Sequence, residues 1–169
     1  MQRNLGMGGH HAPVRGAKDE WLTPPFVLNE LGPFDLDPCA PVTPPWPTAT
    51  RMLSIVDDGL TADWYPHEFV WLNPPYGTDT WKWLNRLATH PAGGIALIFA
   101  RTETAGFVDA VWNKADSLYF LHGRLHFHHV DGTRASANSG APSVLVAYGD
   151  EATVRIRACD LSGSFVPNA

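Results

Sequence analysis

A chain of 169 residues is long enough for one domain with a single buried core. Its 44% hydrophobic and 17% charged content excludes wholesale disorder, and its formal net charge of −5 excludes a general nucleic-acid coat while leaving room for a local basic patch. Two cysteines, Cys39 and Cys159, exclude a disulfide framework and favour a reducing cytoplasm; no apolar run reaches membrane-spanning length, and no basic-then-apolar signal opens the chain.

Residues 1–18 are rich in Gly and His without periodicity and read as a mobile arm; residues 19–160 read as one domain and 161–169 as a tail. Thr23 is a plausible N-cap for a short helix through Phe26, Leu28 and Leu31, with Pro24 or Pro25 at its first position and Gly32-Pro33 at its end. Phe34 to Asp37 reads as a strand ended by Pro38. Four prolines make Ala40 to Thr50 irregular, Arg51 to Val56 is a second strand, and Asp57-Asp58-Gly59 is a turn. Phe69 to Leu72 is a fully apolar strand stopped by Asn73-Pro74-Pro75.

Thr78 or Asp79 can cap the next helix, whose buried stripe is expected at Trp81, Leu84, Leu87 and Ala88. Ile95 to Ala100 is an apolar strand, a helix follows with Phe107, Val108, Val111 and Trp112 on one face, and Leu118 to Leu121 is a further strand. Leu125 to His129 and Ser143 to Tyr148, separated by a polar Gly/Ser-rich segment, predict an antiparallel hairpin. Val154 and Ile156, alternating with Arg155 and Arg157, suggest a last edge strand. Strands alternating with helices predict an α/β fold with a mostly parallel sheet covered on both faces, plus the C-terminal hairpin.

In open α/β sheets, ligands sit beyond the carboxyl ends of the strands, where Asn73 to Gly77 is expected. Pro74 and Pro75 make the loop stiff before any substrate arrives, and they contribute carbonyl acceptors without donors. Asn73 adds a side-chain oxygen, Tyr76 a flat ring, and Gly77 a turn that does not crowd the site. This set suits a planar exocyclic amine. Two acceptors that bind both amine hydrogens draw the nitrogen toward tetrahedral geometry and localise its lone pair, while Tyr76 stacks on the base, worth ~1–3 kcal/mol. The other reading of the loop is a stiff turn.

Asn73-Pro74-Pro75-Tyr76 resembles motif IV of the amino-methyltransferases, and the stretch from Asp19 to Gly149 resembles the phage-type DNA N-6-adenine methyltransferase (Dam) family. The residues carrying the resemblance are Asp19-Glu20-Trp21 with Thr23-Pro24-Pro25, Phe34 to Ala40, Asp58-Gly59-Leu60 with Trp64, Trp71 to Gly77, Ala100-Arg101-Thr102, and Gly123-Arg124-Leu125 with Phe127. The resemblance implies a Rossmann-like methyltransferase fold, S-adenosylmethionine as cofactor, and DNA as partner with the target base flipped out of the duplex. It suggests a viral origin. By position it implies that Thr23 and Pro24 contact the methionine part of the cofactor. It further implies that Asp35, Asp37, Pro38 and Cys39 form motif I, and that Asp57 or Asp58 binds the ribose or adenine of the cofactor. Two departures stand out: Cys39-Ala40-Pro41 replaces the glycines common in motif I, and no segment is long enough for a separate target-recognition domain. Asn at position 73, like Asp, goes with adenine in that family comparison, although the same tetrapeptide occurs in enzymes that methylate protein glutamine, and cytosine N4 is a further target class.

Trp83 lies off the expected stripe of Trp81, Leu84 and Leu87 and sits near Lys82 and Arg86, which makes it a candidate DNA contact; a partly exposed structural Trp is the alternative. Arg124 and Arg134 suit phosphate or base contacts from loops, and Arg101 follows an apolar strand near the expected site. His126, His128 and His129 with Asp131 offer a rival, a His-ligated metal enzyme, against outward-facing histidines on an edge. A DNA-binding module without activity is the remaining alternative, opposed by the intact tetrapeptide.

Overall fold

The computed structural model describes residues 20–168, so the expected arm over 1–18 lies outside the described residues. Seven strands, β1 (Leu36–Asp37), β2 (Arg51–Met52), β3 (Val70–Leu72), β4 (Gly94–Phe99), β5 (Ser117–Leu121), β6 (Ser143–Tyr148) and β7 (Gly163–Pro167), form one sheet in the order β2-β1-β3-β4-β6-β5-β7. The β2-β1-β3-β4 half is parallel. β6 runs antiparallel to both β4 and β5, and β7 antiparallel to β5. β4 and β5 therefore point the same way, and the carboxyl ends of β1 to β5 share one edge of the sheet.

Helix α1 (Pro25–Leu31) and α4 (Asp150–Ala158) cover one face; α2 (Thr80–Ala88) and α3 (Ala105–Phe107), which runs on into a π turn over Val108–Trp112, cover the other. β4 shows the division. Ala96 and Ile98 pack with Leu84, Leu87, Phe107 and Val111, whereas Ile95 and Leu97 pack with Val27, Leu31, Ala152 and Ile156. With both faces covered, the apolar run of β3 is buried throughout. Each fully buried Leu or Ile contributes about 1.5–3 kcal/mol relative to an exposed one, so Leu97→Ala would cost about 2–5 kcal/mol once the cavity it leaves is included.

Several elements depart from the sequence-based expectations. Thr23 does not cap α1: Pro24 stands at the cap position, and the Thr23 side chain is buried. The buried stripe of α2 is Thr80, Trp83, Leu84 and Leu87, a stricter i, i+3, i+4, i+7 set than the one expected, and Trp81 is only half-buried, against Phe107. Leu125 to His129 makes only single bridges at His128, to Leu22 and Arg134. Its extended backbone is satisfied by the polar loop folding back, through Ala135 N–H to the Phe127 carbonyl and Ser139 N–H to the Leu125 carbonyl. β6 takes β5 as its hairpin partner instead.

The expected edge strand over 154–157 is helix α4. Acidic Asp150 and Glu151 occupy its first turn and Arg155 and Arg157 its last, Glu151 pairs with Arg155 one turn on, and Ala152 and Ile156 form the buried face. Residues 163–167 of the expected tail supply β7. No helix among the described residues is long and apolar enough to cross a membrane.

Candidate active site

The edge formed by the carboxyl ends of β1 and β3 opens into a cavity of about 520 Å³, lined by Glu20, Trp21, Leu22, Cys39, Pro41, Ile55, Leu60, Trp83 and residues 73–79. A second, more apolar cavity of about 290 Å³ adjoins it, lined by Trp21, Tyr76, Phe99, Phe127, His129 and residues 135–140. Trp21 and Tyr76 belong to both walls, so the Asn73–Tyr76 loop stands at the junction of the two spaces.

The loop is stiffened beyond its prolines. Buried Thr80 opens α2, its hydroxyl donates to the Pro75 carbonyl at 2.8 Å, and the same oxygen accepts the Gly77 N–H at 3.1 Å. Gly77 has φ +143°, a backbone conformation that a side chain would strain. The Pro74 carbonyl accepts no hydrogen bond among the described residues. The Asn73 amide is oriented: Nδ2 donates to the Trp21 carbonyl at 2.7 Å, and among the described residues Oδ1 receives only a long bond, 3.4 Å, from the Tyr76 hydroxyl. Burial raises the Tyr76 pKa above its ordinary value, so the phenol stays protonated at neutral pH. One face of the Tyr76 ring is stacked on Phe99, centroids 4.3 Å apart and planes 9° apart.

Asp37, at the end of β1, is buried and does not reach the cavity wall. Its Oδ1 accepts the Cys39 N–H at 2.9 Å and its Oδ2 the Thr48 hydroxyl at 2.5 Å, which fixes the turn that presents Cys39 and Pro41 to the cavity. Burial pushes the Asp37 carboxyl up to about 6, and burial together with Asp37 pushes the Cys39 thiol well up. Asp35 lies at the amino end of β1, exposed, and accepts the Phe69 N–H. Buried Pro38 meets Gly59 so closely that a Cβ on Gly59 would come 2.0 Å from the Pro38 carbonyl oxygen. Asp57 caps its own turn through Ser54, which holds its carboxyl below the usual range, and Asp58 adopts φ +50° in the same exposed turn. Thus, of the expected acidic cofactor residues, Asp35, Asp37, Asp57 and Asp58 all stand outside the cavity wall, while Glu20 and Asp79 stand in it. Thr23 and Pro24 follow the lining residues 20–22 but are themselves buried outside the wall, and the Thr23 hydroxyl has no hydrogen-bond partner among the described residues.

Trp83 is buried at 8% exposure and faces the larger cavity, which corrects its placement as an exposed DNA contact. Arg86 also turns inward. Its guanidinium lies over Trp64, 4.3 Å from the ring centre, and binds the carbonyls of Gly59, Leu60 and Ala62. Arg101, Arg124 and Arg134 are exposed, carry no ion pair among the described residues, and follow the carboxyl ends of β4 and β5 or lie in the 122–142 loop beyond β5. The histidines do not converge. His128 stands edge-on to Trp46, His129 lies against Trp21, the His126 ring reaches the Ala135 carbonyl, and the Asp131 carboxylate is taken by Thr133. Among the described residues, no three His, Cys, Asp or Glu side chains gather as a metal site.

Glu20, Trp21, Leu60 and Phe127 entered the sequence reading only through the family resemblance, without a role, and Phe99 and the clasp Thr80 not at all. Thr80 had a local cue, a hydroxyl three residues after Gly77 at a helix start.

The α/β sheet thus presents a rigid amide-bearing loop between two adjoining cavities. The model of the family described as DNA N-6-adenine-methyltransferase (Dam) matches residues 11–157, and the chain belongs to that family. Its activity is accordingly methylation of adenine N6 in DNA. No curated protein and no solved structure matches the chain significantly.

Proposed function

We propose that the larger cavity holds S-adenosylmethionine, that the smaller one holds the target adenine flipped out of the duplex, and that the fold is of the Rossmann-like methyltransferase type. The observation that carries this is the position of Asn73 to Tyr76 at the junction of the two spaces. The larger cavity has a volume usual for a small-molecule site and mixes apolar walls, Ile55, Leu60 and Trp83, with polar groups. Glu20 offers negative charge to the cofactor's ammonium group, whereas Asp79, on the same wall, is paired with Lys82 at 2.8 Å. Asp37, Asp57 and Asp58 act indirectly, by shaping the turns behind the wall.

When bound, S-adenosylmethionine supplies an electrophilic methyl group on a positively charged sulfur that leaves as a neutral thioether. The protein supplies orientation and acceptors. Asn73 Oδ1 and the Pro74 carbonyl accept the two hydrogens of adenine N6, which localises the lone pair as the C–N bond forms, and the surplus proton passes to solvent. These bonds strengthen as positive charge grows on nitrogen, which lowers the barrier. Tyr76, backed by Phe99, presents its other face to the base; Phe127 and Trp21 complete an aromatic enclosure. Arg101, Arg124 and Arg134 hold phosphates along the same edge. This local basic set reconciles DNA binding with an overall charge of −5.

Equilibrium binding of S-adenosylmethionine and turnover on unmethylated DNA test the assignment together. Asn73→Ala is expected to bind cofactor like the unaltered protein and to lose at least 100-fold in turnover; unchanged turnover removes Asn73 from the mechanism.

A further inference from the structure

An amide side chain offers a donor at one end and an acceptor at the other, and nothing in an Asn-Pro-Pro-Tyr sequence decides which end faces the substrate. In this chain the decision is made by a residue far away in sequence. Asn73 Nδ2 lies 2.7 Å from the Trp21 carbonyl oxygen, a group that can only accept. Trp21 is itself held. Leu22 and His128 exchange both backbone bonds, at 2.8 and 2.9 Å, and the indole rests on the His129 ring, centroids 5.2 Å apart.

Resting on the reading of Asn73 given above, we propose that the Trp21 backbone carbonyl is a positioning and specificity-determining group, which commits the Asn73 amide to present its oxygen to the substrate. The anchored amide welcomes a ring bearing N–H donors and turns away a ring bearing a carbonyl at the same place. It also makes Asn73 irreplaceable by Asp here. A carboxylate has the same shape and the same acceptor, but it would set a charged oxygen against the Trp21 carbonyl oxygen. Only a protonated carboxyl could restore the donor to Trp21.

The test is the pH profile of Asn73→Asp against the unaltered enzyme and Asn73→Ala, on DNA with saturating cofactor. At pH 8, Asn73→Asp is expected to be as poor as Asn73→Ala. Its turnover relative to the unaltered enzyme should then rise at least tenfold as the pH falls to 5.5, while the ratio for Asn73→Ala stays flat. Full activity at pH 8, or a flat ratio for Asn73→Asp, overturns the proposal. A second measurement needs neither turnover nor Asn73→Asp. In the amide NMR spectrum of the ligand-free unaltered protein, the Asn73 side-chain pair, assigned by its absence from Asn73→Ala, should show one hydrogen protected from solvent exchange. Exchange as fast as an exposed Asn overturns the anchor even if the enzyme is active. Conversely, a protected hydrogen in a protein that does not methylate DNA removes the reading of Asn73 and leaves the anchor standing.

Discussion

Replacing Asp37 by Asn separates two roles of a buried carboxyl, since Asn keeps an acceptor for the Cys39 N–H but can never be charged. The folded protein raises this group to about 6 through burial, despite the bonds from Thr48 and Cys39 that oppose the rise. An unfolded Asp titrates near 3.9, so the difference is roughly 100-fold in proton affinity and about 3 kcal/mol, at about 1.4 kcal/mol per tenfold. The sign follows from the folded state binding the proton more tightly. The favourable contribution of the protonated carboxyl is fully present below about pH 4 and is lost as pH rises through about 6. Chemical denaturation of the unaltered protein and Asp37→Asn at intervals from pH 4 to pH 8 measures it. The stability of the variant relative to the unaltered protein should rise by about 2 kcal/mol across that window, most of it between pH 4 and 6. A difference that stays constant with pH would refute the claim that Asp37 is buried behind the cavity, and would return it to the wall as a solvated, cofactor-facing carboxylate.

Thr80→Val removes the clasp on the 73–77 loop at nearly constant volume; a loss of about 1–3 kcal/mol in stability is expected from the two hydrogen bonds, with turnover falling more than cofactor affinity, as read by denaturation and steady-state kinetics. Gly59→Ala forces a Cβ against the Pro38 carbonyl and should lower thermal stability and weaken cofactor binding by displacing the turn beneath the cavity, measurable by calorimetry. Arg124→Ala and Arg134→Ala should each weaken DNA binding on any sequence and reduce the slope of log affinity against log salt by ~0.9 for each phosphate no longer neutralised, with cofactor affinity unchanged.

The α/β class, the parallel first half of the sheet and the loop after β3 were legible because each rests on local signals: apolar runs of strand length, and prolines that stop them. The tail was not. Val154 and Ile156 alternate with arginines as a strand would, yet the charge order from Asp150 to Arg157 and the apolar pair Ala152 and Ile156 suit a helix better. Strand-like alternation at Leu125 to His129 was met by a folded-back loop, a partner that local pattern does not specify.

Around the site, the position of loop residues 73–76 beyond the end of β3 was readable in the sequence, whereas which acidic residues line the cavity was not. Whether Asp37 or Glu20 faces the cavity depends on which carboxylate finds protein donors first, and Thr48, eleven residues away, is what satisfies Asp37. Trp83 was misplaced by one position of helical phase, enough to move a ring from the surface to the core. Apart from Tyr76, the lining of the smaller cavity comes from widely separated segments whose convergence no local pattern specifies.

Transfer of a methyl group from S-adenosylmethionine to adenine N6 by way of Asn73 is the central claim. Its most direct test is nucleoside mass spectrometry of unmethylated DNA incubated with cofactor labelled on the transferred methyl group. Labelled N6-methyldeoxyadenosine is expected with the unaltered protein and none with Asn73→Ala. Label found in N4-methyldeoxycytidine or only in protein, or N6-methyldeoxyadenosine formed equally by both proteins, would contradict the claim.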